Sequence, residues 1–401
     1  MRYQFPLRDL YTEDIADPVG DLFTALSKPG IISFAGGIPD AALFDVAALR
    51  ASFDQVLATE GRNALQYATS EGDPGLRQIA AERVSRQLPT TADQIQITSG
   101  SQEAIYLTAL VMLNPGDVIL VEEPTYLAAV QAFGLVGARM IGVATDDEGV
   151  LPDALDAAIR EYAPRAIYLV PSYQNPTGRC MSPARREAVA EVLRPTDVAL
   201  VEDDPYGRLG YDGTTPPLIA TLPGMAERTL ILNTLSKVMA PGVRLGWIRG
   251  QGRIMKALAV AKGAVTMQSP ALNQMAVAHY LLHNDLDAHI AHARDRYRER
   301  RDAMYAGLQR ILPPGASVTY PTGGMFCWVR LGGSVDTRDL LEVAVRHGVA
   351  FAPGWSFFAS TPDLSTMRLS YVTNPPEAIV EGVTRLRAAF DEIGVPVAEG
   401  R

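Results

Sequence analysis

Lys237 is the residue around which covalent chemistry is most readily built. The 401-residue chain has four lysines, Lys28, Lys237, Lys256 and Lys262. Lys28 precedes a proline, and Lys256 and Lys262 sit in a helix-like stretch rich in Ala and Val. Lys237 alone follows an apolar run, Thr229-Leu230-Ile231-Leu232, and stands just before a turn at Pro241-Gly242. An ammonium wedged there loses its water, which lowers its pKa and frees the amine as a Schiff-base nucleophile. Arg244, a little further on, is placed to grip a phosphate oxygen in the fixed fork of its guanidinium.

Other polar segments follow apolar runs in the same way. Ser99-Gly100-Ser101-Gln102-Glu103 precedes a helix predicted over Ala104 to Leu113. Free backbone N–H groups, a positive dipole end, close approach at Gly100 and the Ser101 hydroxyl make it a phosphate cradle. A plain N-cap with a capping box is the alternative. Glu123-Pro124-Thr125-Tyr126 brings an aromatic ring to the same edge, although packing alone explains many such tyrosines. The turn Pro171-Ser172-Tyr173-Gln174-Asn175-Pro176-Thr177-Gly178 presents the Asn175 amide on a backbone restrained by the following proline. Glu202-Asp203-Asp204-Pro205-Tyr206 sets carboxylates at a strand end, where burial is costly without a cation. A metal ion or a protonated ring nitrogen would serve, and the absence of His or carboxylate partners nearby favours the ring.

The elements that position these groups alternate between apolar runs and amphipathic stretches from about Leu49 to about Leu281, the pattern of a parallel sheet covered by helices. Strands are predicted at Gln94 to Thr98, Val118 to Val121, Ala166 to Val170, Val198 to Val201 and Thr229 to Leu232. Ligands of open α/β sheets gather at the carboxyl ends of strands. Beyond about His289 a long charged helix is expected from Asp295 to Leu312, then strands around Met325 to Val329 and Met367 to Tyr371, and a closing helix from Pro376 to about Ile393. The chain thus divides into an irregular arm over 1–45, a large domain over 46–285 and a smaller α+β domain over 286–401.

Composition narrows the function classes. With 47% hydrophobic and 20% charged residues the chain is an ordinary globular protein, long enough for two packed cores. A net charge of -9 argues against a nucleic-acid or anionic-membrane surface and favours small-molecule chemistry. Neither a signal peptide nor an apolar run of roughly 18 residues is visible, so a cytoplasmic protein is expected. Cys180 and Cys327 lie far apart and read as packing residues. His279, His283, His289 and His292 fall in one helical-looking stretch and read as a solvated face, not as a metal site.

Taken in order, Ser33-Phe34-Ala35-Gly36-Gly37-Ile38-Pro39, Tyr67-Ala68-Thr69-Ser70-Glu71-Gly72, Gly100-Ser101-Gln102, Asn175-Pro176-Thr177-Gly178, Asp203-Asp204-Pro205-Tyr206, Ser236-Lys237 and Arg368 resemble the class I/II aminotransferases of fold type I. These use pyridoxal 5'-phosphate, and the similarity is greatest to the branch with the aminoadipate and kynurenine aminotransferases. The resemblance spans nearly the whole chain. It implies an α/β fold with a mostly parallel seven-stranded sheet in the large domain. Lys237 would carry the cofactor as a Schiff base, Asp203 would pair with the pyridinium nitrogen, and Asn175 and Tyr206 would hydrogen-bond the ring's phenolic oxygen. Tyr126 would stack on the ring. Ser101, Gln102, Thr234 and Arg244 would hold the phosphate, joined by Tyr67 of a neighbouring subunit in a homodimer. Gly37, Asn175 and Arg368 would bind substrate, with Arg368 clamping the α-carboxylate.

The activity so implied moves an amino group from an L-amino acid to a 2-oxo acid such as 2-oxoglutarate, with the freed Lys237 amine as general base. Aminoadipate-type members bind a distal carboxylate with an arginine whose counterpart here is Gly20. An apolar or aromatic donor is therefore expected. The same fold also serves β-eliminating lyases and decarboxylases. A non-catalytic effector domain of a transcriptional regulator would need a winged helix, for which the stretch before Ser33 has no room.

Overall fold

The computed structural model describes Gly20 and residues 30–395. Its strands are β1 (Ile32–Ser33), β2 (Ile95–Thr98), β3 (Val118–Glu123), β4 (Arg139–Asp146), β5 (Gly149–Val150), β6 (Ala166–Leu169) and β7 (Ala199–Asp203). They continue as β8 (Thr229–Thr234), β9 (Gly246–Arg249), β10 (Ser317–Val318), β11 (Phe326–Arg330), β12 (Val349–Ala350), β13 (Ala352–Pro353) and β14 (Thr366–Ser370).

The large sheet has the order β2-β9-β8-β7-β6-β3-β4-β5. Strands β4, β3, β6, β7 and β8 pair in parallel, and β9 runs antiparallel to both β2 and β8. The expected seven-stranded sheet is thus lengthened by β5, a two-residue antiparallel edge beside β4. Parallel neighbours need crossovers: the helix Leu127–Leu135 joins β3 to β4, Pro152–Tyr162 leads back to β6, Pro183–Leu193 joins β6 to β7, and β7 reaches β8 through a connection without an α-helix. Helices cover both faces, so β2 and β6 are buried at every position. Ile97, Tyr168, Leu232, Val329 and Leu369 belong to one continuous apolar core, while Leu120, Ile167 and Leu200 pack in a second on the opposite face of the sheet. The two cores are therefore divided by the sheet and not by position along the chain.

Two strands escape a search for apolar runs. The apolar run of strand β4 is broken by Gly142, where a Cβ would meet the Glu123 carboxylate. Strand β9 has four residues and ends in the buried Arg249. Strands β3, β7 and β8 also run two residues past their predicted ends, carrying Glu122 and Glu123, Glu202 and Asp203, and Asn233 and Thr234 within the sheet.

A four-stranded antiparallel sheet, β10-β11-β14-β13, and the parallel pair β1-β12 make up the rest. The charged helix begins at Leu286 and not Asp295, running to Ile311. Asp285 caps it by accepting from the backbone N–H of Asp287 and Ala288 at 2.9 and 3.0 Å. Its buried stripe of Leu286, Ile290, Ala293 and Tyr297 is masked in sequence by the charged residues between. The histidine-bearing stretch is two helices, Ala271–His283 and Leu286–Ile311, with the rings of His279 and His283 stacked at 4.1 Å. Most of the expected arm lies outside the described residues, although Gly20 is helical and half-buried. Among the described residues no helix is long and apolar enough to cross a membrane.

Candidate active site

The carboxyl ends of β6, β7 and β8 and the start of the helix Ser101–Met112 surround a cavity of about 280 Å³. Lys237, Asp203, Tyr126, Ser101, Gln102, Asn175, Tyr206, Thr234, Arg244 and Gly37 all line it. Lys237 Nζ donates to the Gly37 carbonyl at 2.9 Å. Burial, then the guanidiniums of Arg368 and Arg244, push the Lys237 ammonium down to about 8, against the pull of Asp203.

Alternation along β7 separates three neighbouring carboxylates. Glu202 turns away and accepts from the backbone N–H of Ile219 and Ala220 at 2.8 and 3.0 Å. Asp204 accepts from Gly207 at 3.1 Å. Of the three, only Asp203 lines the cavity. Tyr168 donates its hydroxyl to Asp203 Oδ2 at 2.7 Å, while the buried Oδ1 has no hydrogen-bond partner within the chain. Burial raises this carboxyl to about 7, opposed by the Tyr168 bond and by Lys237. A buried acceptor of this kind calls for a charged donor from a ligand, and a protonated ring nitrogen fits.

Ser101, Gln102, Thr234 and Arg244 also line the cavity. Gly100 adopts φ +88, and a Cβ there would lie 2.8 Å from Arg244 Nη2, which donates to the Ser99 carbonyl at 2.8 Å. Ser101 opens the helix with its Oγ buried and unpartnered. No side chain caps the helix, and Glu103 accepts instead from the N–H of Ser99, ahead of the N-cap Gly100, at 2.6 Å. Thr234 Oγ1 sits 3.0 Å from Ser236 Oγ and accepts from Ser236 N–H at 3.1 Å. Helix N–H groups, hydroxyls and a guanidinium converging on one spot suit a phosphate. The residues present therefore fit pyridoxal phosphate at both ends.

Aromatic rings fill the space between. Tyr126 caps the helix Leu127–Leu135, and its phenol is raised to about 12 by burial and by Asp203. Tyr206 is buried edge-on to Phe326 with ring centres 5.9 Å apart. Asn175, whose peptide with Pro176 is cis, accepts from Arg368 Nη1 at 2.7 Å.

Two expected residues stand apart from the lining. Arg368 on β14 lies behind Asn175, between the rings of Phe326 and Phe357 at 4.4 and 4.9 Å, and also donates to the Ala35 carbonyl. Its Nε is buried without a partner, and burial lowers the guanidinium to about 10. Tyr67 is 75% exposed and does not reach the cavity of its own chain. Conversely, Tyr168 lines the cavity without having been singled out in the sequence, and Ile38, Pro39 and Ser236, quoted there only within motifs, line it too. Tyr168 pairs with Val201, two residues before Asp203 and on the same face, a relation that only strand register reveals.

Comparison with known proteins accords with this geometry. The profile of the family "Aminotransferase class I and II" matches residues 29–386. The aromatic-amino-acid aminotransferase 1 of Thermococcus litoralis is 37% identical over 384 residues, covering 94% of this chain and 92% of that protein. The kynurenine aminotransferase of Pyrococcus horikoshii, solved in complex with PMP, superposes with a TM-score of 0.91 at 35% identity, covering 96% and 97% of the two chains. The alpha-aminoadipate aminotransferase of Thermus thermophilus, complexed with N-(5'-phosphopyridoxyl)-L-leucine, superposes with a TM-score of 0.89 at 35% identity over 94% and 95%. The chain belongs to the class I and II aminotransferase family and is a pyridoxal-phosphate-dependent aminotransferase.

Proposed function

We propose that the enzyme takes the amino group from an L-amino acid with an apolar or aromatic side chain and passes it to a 2-oxo acid such as 2-oxoglutarate. The observation that carries the donor class is the lining of the cavity. Its only cations among the described residues are Lys237 and Arg244, and Ile38, Pro39, Tyr126 and Tyr206 also line it. A distal carboxylate would find no spare positive charge there, and desolvating it unpaired is costly. Gly20 at the position of the aminoadipate-type arginine points the same way.

Bound in the cavity, pyridoxal phosphate supplies the electron sink for the charge that develops at the donor's Cα. The chain's own residues do the rest. Asp203 Oδ1 accepts the ring N–H and keeps that nitrogen protonated. Ser101, Gln102, Thr234 and Arg244 hold the phosphate. Asn175 and Tyr206 orient the phenolic oxygen, Tyr126 stacks on the ring, and Arg368 takes the substrate α-carboxylate. Lys237 Nζ, displaced toward about 8, accepts the Cα proton near neutral pH, where a general base is most effective.

A cytoplasmic homodimer completes the reading, with Tyr67 reaching the phosphate of the partner subunit. Leu65 and Tyr67 are exposed, as are Val265 and Met267, and the Ala68 N–H bond to Gln268 draws the two segments together. Exposed apolar side chains so grouped call for cover. Cys180 and Cys327 stand as free thiols, as a reducing compartment would keep them.

The test is the visible spectrum of the loaded enzyme before and after single amino acids are added without any oxo acid, followed by steady-state rates. Bleaching by leucine and phenylalanine is expected. Rates that favour 2-aminoadipate over both by a wide margin overturn the donor class.

A further inference from the structure

Behind the phosphate cradle, on the side away from the cavity, lies an ion pair that the proposed function does not use. Lys262, in the helix Arg253–Val265, is 0% exposed. Its Nζ donates to Glu103 Oε2 at 2.6 Å and to Ser269 Oγ at 3.0 Å. The Glu103 carboxylate also accepts from Ser99 N–H and from the Thr266 hydroxyl, each at 2.6 Å. Burial alone would raise the Glu103 carboxyl, but the bonds from Lys262, Thr266 and Ser99 bring it below its ordinary value, so it is ionised. Ser269 Oγ lies 3.1 Å from Ser99 Oγ.

Ser99 is therefore held at every polar group. Its N–H goes to Glu103, its hydroxyl to Ser269 and its carbonyl to Arg244. The first two holds meet at Lys262, since it bonds both Glu103 and Ser269. None of Glu103, Lys262 and Ser269 lines the cavity. A buried ion pair adds little stability over a packed apolar pair of the same volume, so its effect is to be sought in geometry. Ser99 is the residue from which the chain enters Gly100 and Ser101, and a rotation there would swing the helix N–H groups and the Ser101 hydroxyl away from a common point.

We infer that Lys262, acting through Glu103 and Ser269, is a positioning residue that sets the Ser99–Gln102 turn to receive the cofactor's phosphate. The inference rests on the reading of that turn as the phosphate cradle.

The experiment compares two ligands on cofactor-free protein, pyridoxal phosphate and pyridoxal, which shares the ring and aldehyde but has no phosphate. Binding is read from the visible absorbance of the bound ligand in wild type and Lys262→Met. The variant should lose about tenfold or more in affinity for pyridoxal phosphate, the size found when a group supporting a binding residue is removed. Its affinity for pyridoxal should stay within about twofold of wild type, the scatter of uncoupled substitutions. Equal losses for both ligands, or an unchanged affinity for pyridoxal phosphate, overturn the inference.

Should Lys262→Met fail to fold because Glu103 is left charged and buried, the double variant Lys262→Met/Glu103→Gln removes both charges. It should show the same selective loss, and a non-selective one overturns the inference equally. A wild-type protein that binds pyridoxal as tightly as pyridoxal phosphate would instead overturn the cradle reading itself.

Discussion

In the cofactor-free chain the Lys237 ammonium is pushed down to about 8, because burial and then Arg368 and Arg244 disfavour it more than Asp203 favours it. A solvated lysine titrates near about 10.4. At pH 7.5 an amine with a pKa of 8 is roughly one quarter neutral, and a solvated lysine roughly one part in a thousand, so the gain in free amine is about 200-fold. The chain has only four lysines, which lets competitive labelling with trace acetic anhydride read each one separately by peptide mass spectrometry. Lys256, exposed on its helix, is the reference within each sample. Labelling of Lys237 should rise with a midpoint near 8. Arg368→Gln should move that midpoint up by removing the second-largest cause, and Asp203→Asn should move it down by removing the opposing charge. A wild-type midpoint above about 10, or one that neither substitution moves, refutes the reasoning.

Asp203 offers a stability test with a definite sign. Burial holds it near 7, above the value of about 3.9 in an unfolded chain, so between those values the folded protein keeps a proton that the unfolded one releases. Its contribution to stability is thus lost as pH rises from about 4 through 7. Cofactor-free Asp203→Asn should gain roughly 2–3 kcal/mol relative to wild type between pH 5 and pH 8, and denaturant melts showing a pH-independent difference would contradict this. Gly100→Ala places a methyl 2.8 Å from Arg244 Nη2 on backbone with φ +88. Calorimetric titration should show pyridoxal phosphate affinity lowered by about tenfold, equivalent to 1.4 kcal/mol; an affinity equal to wild type would mean that Arg244 does not hold the phosphate.

What the sequence discloses about the site is whatever the backbone delivers locally. Lys237, Asn175 and Ser101 each follow an apolar run, and finding the run finds the residue. Tyr168 and Lys262 are hidden for the opposite reason. Tyr168 reaches Asp203 only because β6 lies beside β7 with Tyr168 opposite Val201, and Lys262 meets Glu103 across 159 residues of chain. Placed among Ala and Val on a helix, Lys262 looks like a surface lysine until the packing of that helix is known. The carboxylates Glu202, Asp203 and Asp204 lie between these cases. Ending the strand at Val201 leaves three equivalent acids in a loop with nothing to rank them. Extending β7 through Asp203 makes the period of two apply, sending Glu202 to the backbone donors of Ile219 and Ala220 and Asp203 to the cavity. A boundary error of two residues is therefore enough to hide from strand reading alone which carboxylate faces the cavity, so that only the family resemblance picked out Asp203, although the rule that separates them is wholly local.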